Sequence, residues 1–277
     1  MREILAITGV TGKIGGGVAA ALQDQHQRLR LLVRDISRAP NLAGEVAVSA
    51  YGDATAARET LRDVDVLFMV SAGENPDRIA QHINFIDAAA AAGVKHVVYT
   101  SFLGASPDAT FTLARDHWAT EQHLRTSGMA WTFLRDSFYL DFLPDLAGPD
   151  GVIRGPAGQG RVGAVARADV IRVATAVLRS PADHEGRSYD LTGPQTLSLA
   201  EAAETITQVT GRPTSYQEEN VDEAYASRAS YGAPSWELDA WVSTYTAIAS
   251  GELNVVSDAV ERLTGAPPLS LAQVLRA

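Results

Sequence analysis

The chain reads as a doubly wound α/β protein, a parallel sheet covered on both faces and followed by a smaller, mostly helical lobe. Two observations predict this. Short, almost continuously apolar runs alternate with helical segments up to Arg135, and a glycine-rich turn joins the first run to the first helical segment. Continuously apolar strands separated by helices belong to a sheet buried on both sides, which right-handed crossovers close into a doubly wound architecture.

The strands expected are "EILAIT" (3–8), "RLRLLV" (28–33), "EVAVSAY" (45–51), "DVLFMV" (65–70), "KHVVYT" (95–100) and "MAWTFLR" (129–135). Helical spacing or high alanine content marks 13–24, 36–41, 54–61, 76–92 and 111–126 between them. Beyond Arg135 the rhythm changes. Residues 136–165 include "GPDGVIRGPAGQGRVG", which predicts loop with short strands. Helical patterns return at 168–179, 198–210, 221–231 and 236–250, and a short one starts at Ser270; "GRSYDLTG" (186–193) adds one more strand. The expected organisation is a sheet domain over 1–135 and a second lobe over 136–277, joined as one cooperative unit.

Composition narrows the function. The chain has 277 residues, 46% hydrophobic and 20% charged, and a net charge of −10. That length buries a sizeable core, and the acidic balance, without a basic run, disfavours nucleic acid and anionic membrane surfaces. There is no cysteine, which excludes disulfides, thiolate nucleophiles and cysteine-held metals. Met1 leads straight into strand and turn, and no apolar stretch is long enough to span a bilayer, so the expectation is a cytoplasmic, soluble protein.

"TGVTGKIG" (8–15) places Gly9, Gly12 and Gly15 at the spacing G-x-x-G-x-x-G, after a strand and at the start of a helix. The first glycine suits the tight turn, the second lets backbone approach a pyrophosphate, and the third permits close helix–sheet packing. The helix start offers N–H groups to phosphate. In this setting the motif predicts a Rossmann-type dinucleotide site, with Thr11, Lys13 and Ile14 completing the loop. Lys13 either adds phosphate charge or points to solvent. The second strand ends in Arg34, followed by Asp35. An arginine there pairs with a 2′-phosphate and favours NADP over NAD; the alternative is a solvated pair with Asp35 on the ribose. Asp53, at the third strand end, is placed to accept from an adenine amino group. Ser71 and Ala72, at the fourth, are small enough to let a nucleotide lie against backbone.

The fifth strand ends in Tyr99, Thr100 and Ser101, but the residue four after the tyrosine is Leu103. Lysine occurs only at Lys13 and Lys95, so no Tyr-x-x-x-Lys pair exists. Without an ammonium to lower its pKa, a tyrosine is a poor acid for ordinary ketones. Flat acceptors that spread the incoming charge remain open to hydride transfer. "RDHWATEQ" (115–122) sets His117 and Glu121 at i, i+4, within hydrogen-bonding reach on one helix face; His117 either donates to an acceptor at the nicotinamide, oriented by Glu121, or is a partly buried histidine satisfied by its own helix. In "DSFYLDFL" (136–143), Phe138, Tyr139 and Phe142 can wall a planar ring or serve as lobe core. No G-x-S-x-G elbow, metal-binding histidine spacing or G-K-[ST] loop ending occurs, so hydrolase, metal and nucleoside-triphosphate chemistry have no motif.

Taken in order, "TGVTGKIG", "LLVRD", "YGDATA", "DVLFMVSA", "HINFIDAAAAAGVKHVVYTS", "ATEQHLRTSGMAWTFLR", "ARADVIRVATAVL", "YDLTGPQTLSLAEAA" and "LTGAPPLSL" resemble the NmrA-like atypical short-chain dehydrogenases over nearly the whole chain. They most resemble the NAD(P)H:quinone and triphenylmethane reductase branch. The resemblance implies NADPH held by the glycine loop, Arg34, Asp53 and the Ser71 strand end, with substrate between two lobes. His117 stands where many relatives have lysine and where this branch also has histidine, a position that favours the reading with His117 at the nicotinamide, oriented by Glu121, without settling catalysis. Tyr99, Thr100 and Ser101 are implied near the nicotinamide ribose; Tyr99 joins His117 as a catalytic candidate. Where relatives often have asparagine, this chain has Phe142. The expected activity is NADPH-dependent hydride transfer to a quinone-like small molecule, by a monomer or homodimer, without metal. The alternative is an NmrA-like regulatory protein that senses NAD(P) with little turnover.

Overall fold

The computed structural model describes residues 3–23 and 28–277. Asp24, the last residue of the expected 13–24 helix, and His26, one of the histidines considered for metal spacing, lie outside the described residues. The strands are β1 (Ile4–Ile7), β2 (Arg28–Val33), β3 (Glu45–Val48), β4 (Val66–Met69), β5 (His96–Phe102), β6 (Ala130–Asp136), β7 (Val152–Gly155), β8 (Arg187–Leu191) and β9 (Ser215–Glu218). The helices are α1 (Lys13–Ala21), α2 (Ala54–Thr60), α3 (Arg78–Ala92), α4 (Thr112–Thr126), α5 (Arg167–Arg179), α6 (Leu199–Thr210), α7 (Val221–Arg228), α8 (Ser235–Ser250), α9 (Ala259–Thr264) and α10 (Leu271–Val274).

Seven strands form a parallel sheet in the order β3-β2-β1-β4-β5-β6-β8. The order reverses between β1 and β4, which is where open α/β sheets present their ligand crevice. Register brings Ile7 opposite Leu31 on one side and Phe68 on the other, and Phe68 opposite Val98. β1, β4 and β5 are buried at every residue, as a sheet covered on both faces requires.

The chain condenses into two compact units that interleave in sequence. The first comprises residues up to Ser101, Asp116–Arg135 and Val170–Tyr189; the second comprises Phe102–Arg115, Asp136–Asp169 and Asp190–Ala277. In the first, Leu61, Leu67, Phe85, Ile86, Tyr99, Leu124 and Phe133 share one core. Truncating Phe133 to alanine there costs about 3–5 kcal/mol, since its whole side chain is removed from water. The second unit has its own core, with Phe102, Phe111, Leu140, Ile153, Leu199 and Ile248 among its buried members, and a separate parallel pair, β7 with β9.

Several element expectations need correction. The expected helix 36–41 is a single 3-10 turn, Ile36–Arg38, because Ala39 precedes Pro40 and is driven to extended backbone. The expected strand 45–51 stops at Val48; Asp53 N donates to Ala50 O and closes a turn instead. Within 136–165 a 3-10 helix spans Leu140–Leu146 besides β7. β9 and α9 have no counterpart in the sequence reading.

Candidate cofactor and active site

The glycine loop follows β1 directly. Gly9 sits at φ +64, a left-handed turn that glycine adopts at no steric cost, and its carbonyl accepts from Gly12 N at 2.9 Å. A Cβ on Gly15 would lie 2.4 Å from Thr8 O and 2.5 Å from Gly9 O, so only glycine lets α1 pack this closely on β1. α1 opens on Gly12 with no side-chain cap and no acid in its first turn. Gly9, Thr11, Gly12 and Lys13 are exposed, while Ile14 and Gly15 are buried beneath them. An uncapped helix start under an exposed loop is a fit cradle for phosphate.

At the end of β2, Arg34 is exposed. Asp35 is held at one oxygen: its Oδ1 accepts from Ser37 N at 2.9 Å and Ser37 Oγ at 2.8 Å, and these bonds hold its carboxyl below the usual carboxylate range. Asp53 likewise caps α2, accepting from Ala56 N at 2.9 Å. The end of β4 is held from behind. Tyr51 Oη donates to Val70 O, Ser71 N donates to Thr100 Oγ1 at 2.8 Å, and Ala72 N donates to His82 Nε2 at 2.9 Å. Arg78 Nε donates to Ala72 O at 3.1 Å.

His117 and Tyr99 meet, as a pair buried inside the first unit. Tyr99 Oη is 2.9 Å from His117 Nδ1, and Arg78 Nη2 lies 3.0 Å from His117 Nε2. A guanidinium can only donate, so Nε2 is the acceptor and the ring proton sits on Nδ1, donated to Tyr99. The same reasoning fixes His82, which accepts at Nε2 from Ala72 N and gives its Nδ1 proton to Thr120 Oγ1 at 2.8 Å. Thr120 passes its own proton to Asp116 O. Burial, reinforced by the Arg78 charge, lowers His82 to about 3 and His117 well below the ordinary histidine value. Burial pushes the Tyr99 phenol up, against the pull of Arg78 and Thr120. Both histidines are therefore neutral, and Tyr99 has no exposed surface.

Glu121 does not orient His117. Its buried carboxylate takes both arms of Arg135, at 2.8 and 2.6 Å, and the Ser101 hydroxyl at 2.6 Å. The i, i+4 spacing put the histidine within reach, but a bidentate guanidinium on the adjacent strand is the stronger partner. Thr100 and Ser101, both buried, thus hold the β4 end and α4 respectively.

In the second unit the three expected wall residues have three different surroundings. Phe138 packs edge-on to Phe102 and Phe111, with centroids 5.1 and 5.2 Å away. Tyr139 is half-buried, carries Arg167 over its ring at 5.1 Å, and donates to Asp136 Oδ2 at 2.8 Å. Phe142 is 47% exposed. Asp136 is buried, and its Oδ1 has no hydrogen-bond partner among the described residues. Burial pushes its carboxyl up to about 7, opposed by the Tyr139 bond.

Sequence reasoning passed over Arg78, His82, Thr120 and Asp136. "RIAQH" carries Arg78 and His82 at i, i+4, the one local signal for the first pair. Asp136 gives none beyond an acid ending an apolar strand.

Comparison with known proteins agrees with this geometry. Residues 9–181 match the family model described as NAD(P)H-binding. The chain is 32% identical to an NAD(P)H azoreductase of Xenophilus azovorans, over 99% of this chain and 97% of that protein. It is 34% identical to quinone oxidoreductase 2 of Escherichia coli strain K12, over 98% and 96%. A crystal structure of an E. coli NADPH-dependent quinone oxidoreductase complexed with NADPH superposes with TM-score 0.89 at 32% identity, covering 98% of each chain. That of a Citrobacter sp. triphenylmethane reductase gives 0.87 at 29%, covering 99% of this chain and 98% of the other. With a glycine loop built for phosphate and relatives matched end to end, the chain belongs to the NAD(P)H-binding, NmrA-like family.

Proposed function

We propose that the protein is an NADPH-dependent oxidoreductase acting on quinone-like or similarly delocalised small molecules. The carrying observation is the end of β2, where Arg34 stands exposed and Ser37 holds one oxygen of the Asp35 carboxylate onto its own turn. A ribose 2′-hydroxyl needs a free acid at this point, and a 2′-phosphate needs an arginine. The relatives add support, being named as azo, quinone and triphenylmethane reductases.

Bound NADPH supplies the hydride. Gly9, Thr11, Gly12, Lys13, Ile14 and Gly15 cradle the pyrophosphate, Arg34 takes the 2′-phosphate, and Asp53 faces the adenine. Ser71 and Ala72 contribute close contact, since the Ser71 and Ala72 N–H groups and the Ala72 carbonyl are already used from behind. Tyr99, Thr100 and Ser101 set the strand end at the nicotinamide ribose. His117 and Tyr99 serve this reaction as positioning groups: both His117 ring nitrogens are engaged, so neither carries a proton toward an acceptor. Phe138, Tyr139 and Phe142 supply the aromatic surface for the acceptor. An acceptor that delocalises the arriving charge needs no acid in the hydride step itself.

The test follows NADPH and NADH oxidation against quinones, a triarylmethane dye, an azo dye and simple ketones, with Arg34→Ala alongside. Turnover of the delocalised acceptors alone, with Arg34→Ala weakening NADPH at least tenfold more than NADH, is the expected result. Equal losses for both nucleotides would overturn the NADPH assignment. Nucleotide binding without turnover of any acceptor would replace catalysis with a sensing role.

A further inference from the structure

We propose that Arg78 and His82 are positioning residues of the nucleotide site, fixing the β4 end against the glycine loop by holding both polar groups of the Ala72 peptide. The inference rests on the functional reading above, and every group it uses lies in the first unit. β4 stops at Met69, opposite Tyr99 of β5, and the chain runs on through Val70, Ser71 and Ala72, which are half-buried. Backbone groups withdrawn from water need partners, and here side chains take over from the strand ladder. Val70 N donates to Thr8 Oγ1 at 2.8 Å, Ser71 N to Thr100 Oγ1 at 2.8 Å, and Ala72 N to His82 Nε2 at 2.9 Å.

This segment borders the phosphate cradle. A Cβ on Gly9 would lie 3.1 Å from Val70 Cβ, so a shift of the β4 end presses directly on the turn that opens the loop. It also stands where the strand order reverses between β1 and β4, at the crevice in which such sheets bind dinucleotides. One turn apart on α3, His82 accepts from the Ala72 N–H and Arg78 Nε donates to the Ala72 carbonyl at 3.1 Å. Each side chain is itself locked. His82 stands edge-on to the rings of Tyr51 and Tyr99, with centroids 5.7 and 5.8 Å away, and gives its Nδ1 proton to Thr120 on α4. Arg78 reaches α4 through His117 at 3.0 Å and Asp116 at 3.5 Å. The clamp therefore ties the β4 end to α3 and α4. With its own polar groups engaged, Ala72 offers the nucleotide a fixed surface and not a hydrogen bond. Affinity then depends on that surface standing in place before the nucleotide arrives.

The test compares His82→Leu, which removes the acceptor for Ala72 N, with His82→Gln, whose amide restores one. In His82→Leu, KM and Kd for NADPH and for NADH should rise by the same factor, about tenfold, with kcat within about twofold of wild type. His82→Gln should recover most of that loss. An equal factor for the two nucleotides separates the clamp from Arg34, whose loss falls on NADPH. Thr132→Val is the control for general core damage. It breaks the buried His96–Thr132 bond of 2.8 Å at the opposite end of β5, and should lower stability while leaving nucleotide affinity unchanged. A second measurement needs no variant: in wild type without nucleotide, the Ala72 amide should already be protected from hydrogen exchange. Wild-type affinity in folded His82→Leu, no difference between the two His82 variants, an equal loss in Thr132→Val, or an Ala72 amide that exchanges freely until NADPH is added would each overturn the clamp. All four leave the reductase assignment standing. Wild type that binds neither nucleotide would remove the functional reading, and the role of the clamp with it.

Discussion

The ends of β5 and β6 contrast in how they treat buried polar groups. At β5, Tyr99, His117, His82 and Thr120 form a hydrogen-bonded chain anchored by Arg78, whose buried Nη1 makes no hydrogen bond among the described residues and pairs with Asp116 Oδ2 at 3.5 Å. At β6, Asp136 Oδ1 and the Ser137 hydroxyl are both buried with no partner among the described residues. A network that engages both nitrogens of each histidine fixes geometry and resists protonation, whereas a buried acid with one oxygen unbonded is held close to the point of gaining or losing a proton. The lesson is that an arrangement of tyrosine and histidine can look catalytic by residue type and still be a positioning device.

Breaking the paired network should have the largest effect. Arg78→Met strips partners from His117 Nε2 and Ala72 O inside the core, so unfolding free energy should fall by about 2–4 kcal/mol in denaturant titrations. The next test sharpens the contrast through pH. His82 is lowered in the fold to about 3 from 6.5, so its contribution is intact above the unfolded value and is lost as pH falls. Asp136 is raised from 3.8 to about 7, so its contribution is intact below the unfolded value and is lost as pH rises. Between pH 4 and 6, His82→Asn should remove about 1.4 kcal/mol per pH unit of acid sensitivity, and Asp136→Asn the same slope with opposite sign. Slopes that move together, or not at all, would erase the distinction between the two strand ends. The smallest effect belongs to Phe142→Ser: with the ring 47% exposed, stability should stay within about 0.5 kcal/mol.

The sheet and the phosphate loop were legible because their signals are local. β1 and β4 announce themselves by unbroken apolar runs, and Gly15 by a spacing that only close packing demands. β9 was invisible because "SYQE" is polar and short, and its pairing with β7 joins segments about 60 residues apart in sequence, as Ile153↔Tyr216 shows. Arg78 was passed over because an arginine at a helix start is ordinarily solvated; only the tertiary fold reveals it buried against His117. Glu121 shows the limit of spacing arguments. Helical periodicity states who can meet, and Arg135 and Ser101 decided who did. The interleaving of the two units likewise depends on long-range packing and leaves no mark in composition.

The small Asp35–Ser37 turn bears on redesign of the nucleotide preference. Removing Arg34 alone would delete a positive charge without offering the ribose an acid, because Ser37 N and Oγ keep the neighbouring carboxylate folded onto its own turn. A chain that runs on the cheaper, unphosphorylated coenzyme therefore calls for two edits, Arg34→Gly together with Ser37→Ala. The second leaves only the Ser37 N bond on Oδ1 and so loosens the carboxylate, and the first clears room for Oδ2 to turn toward the sugar.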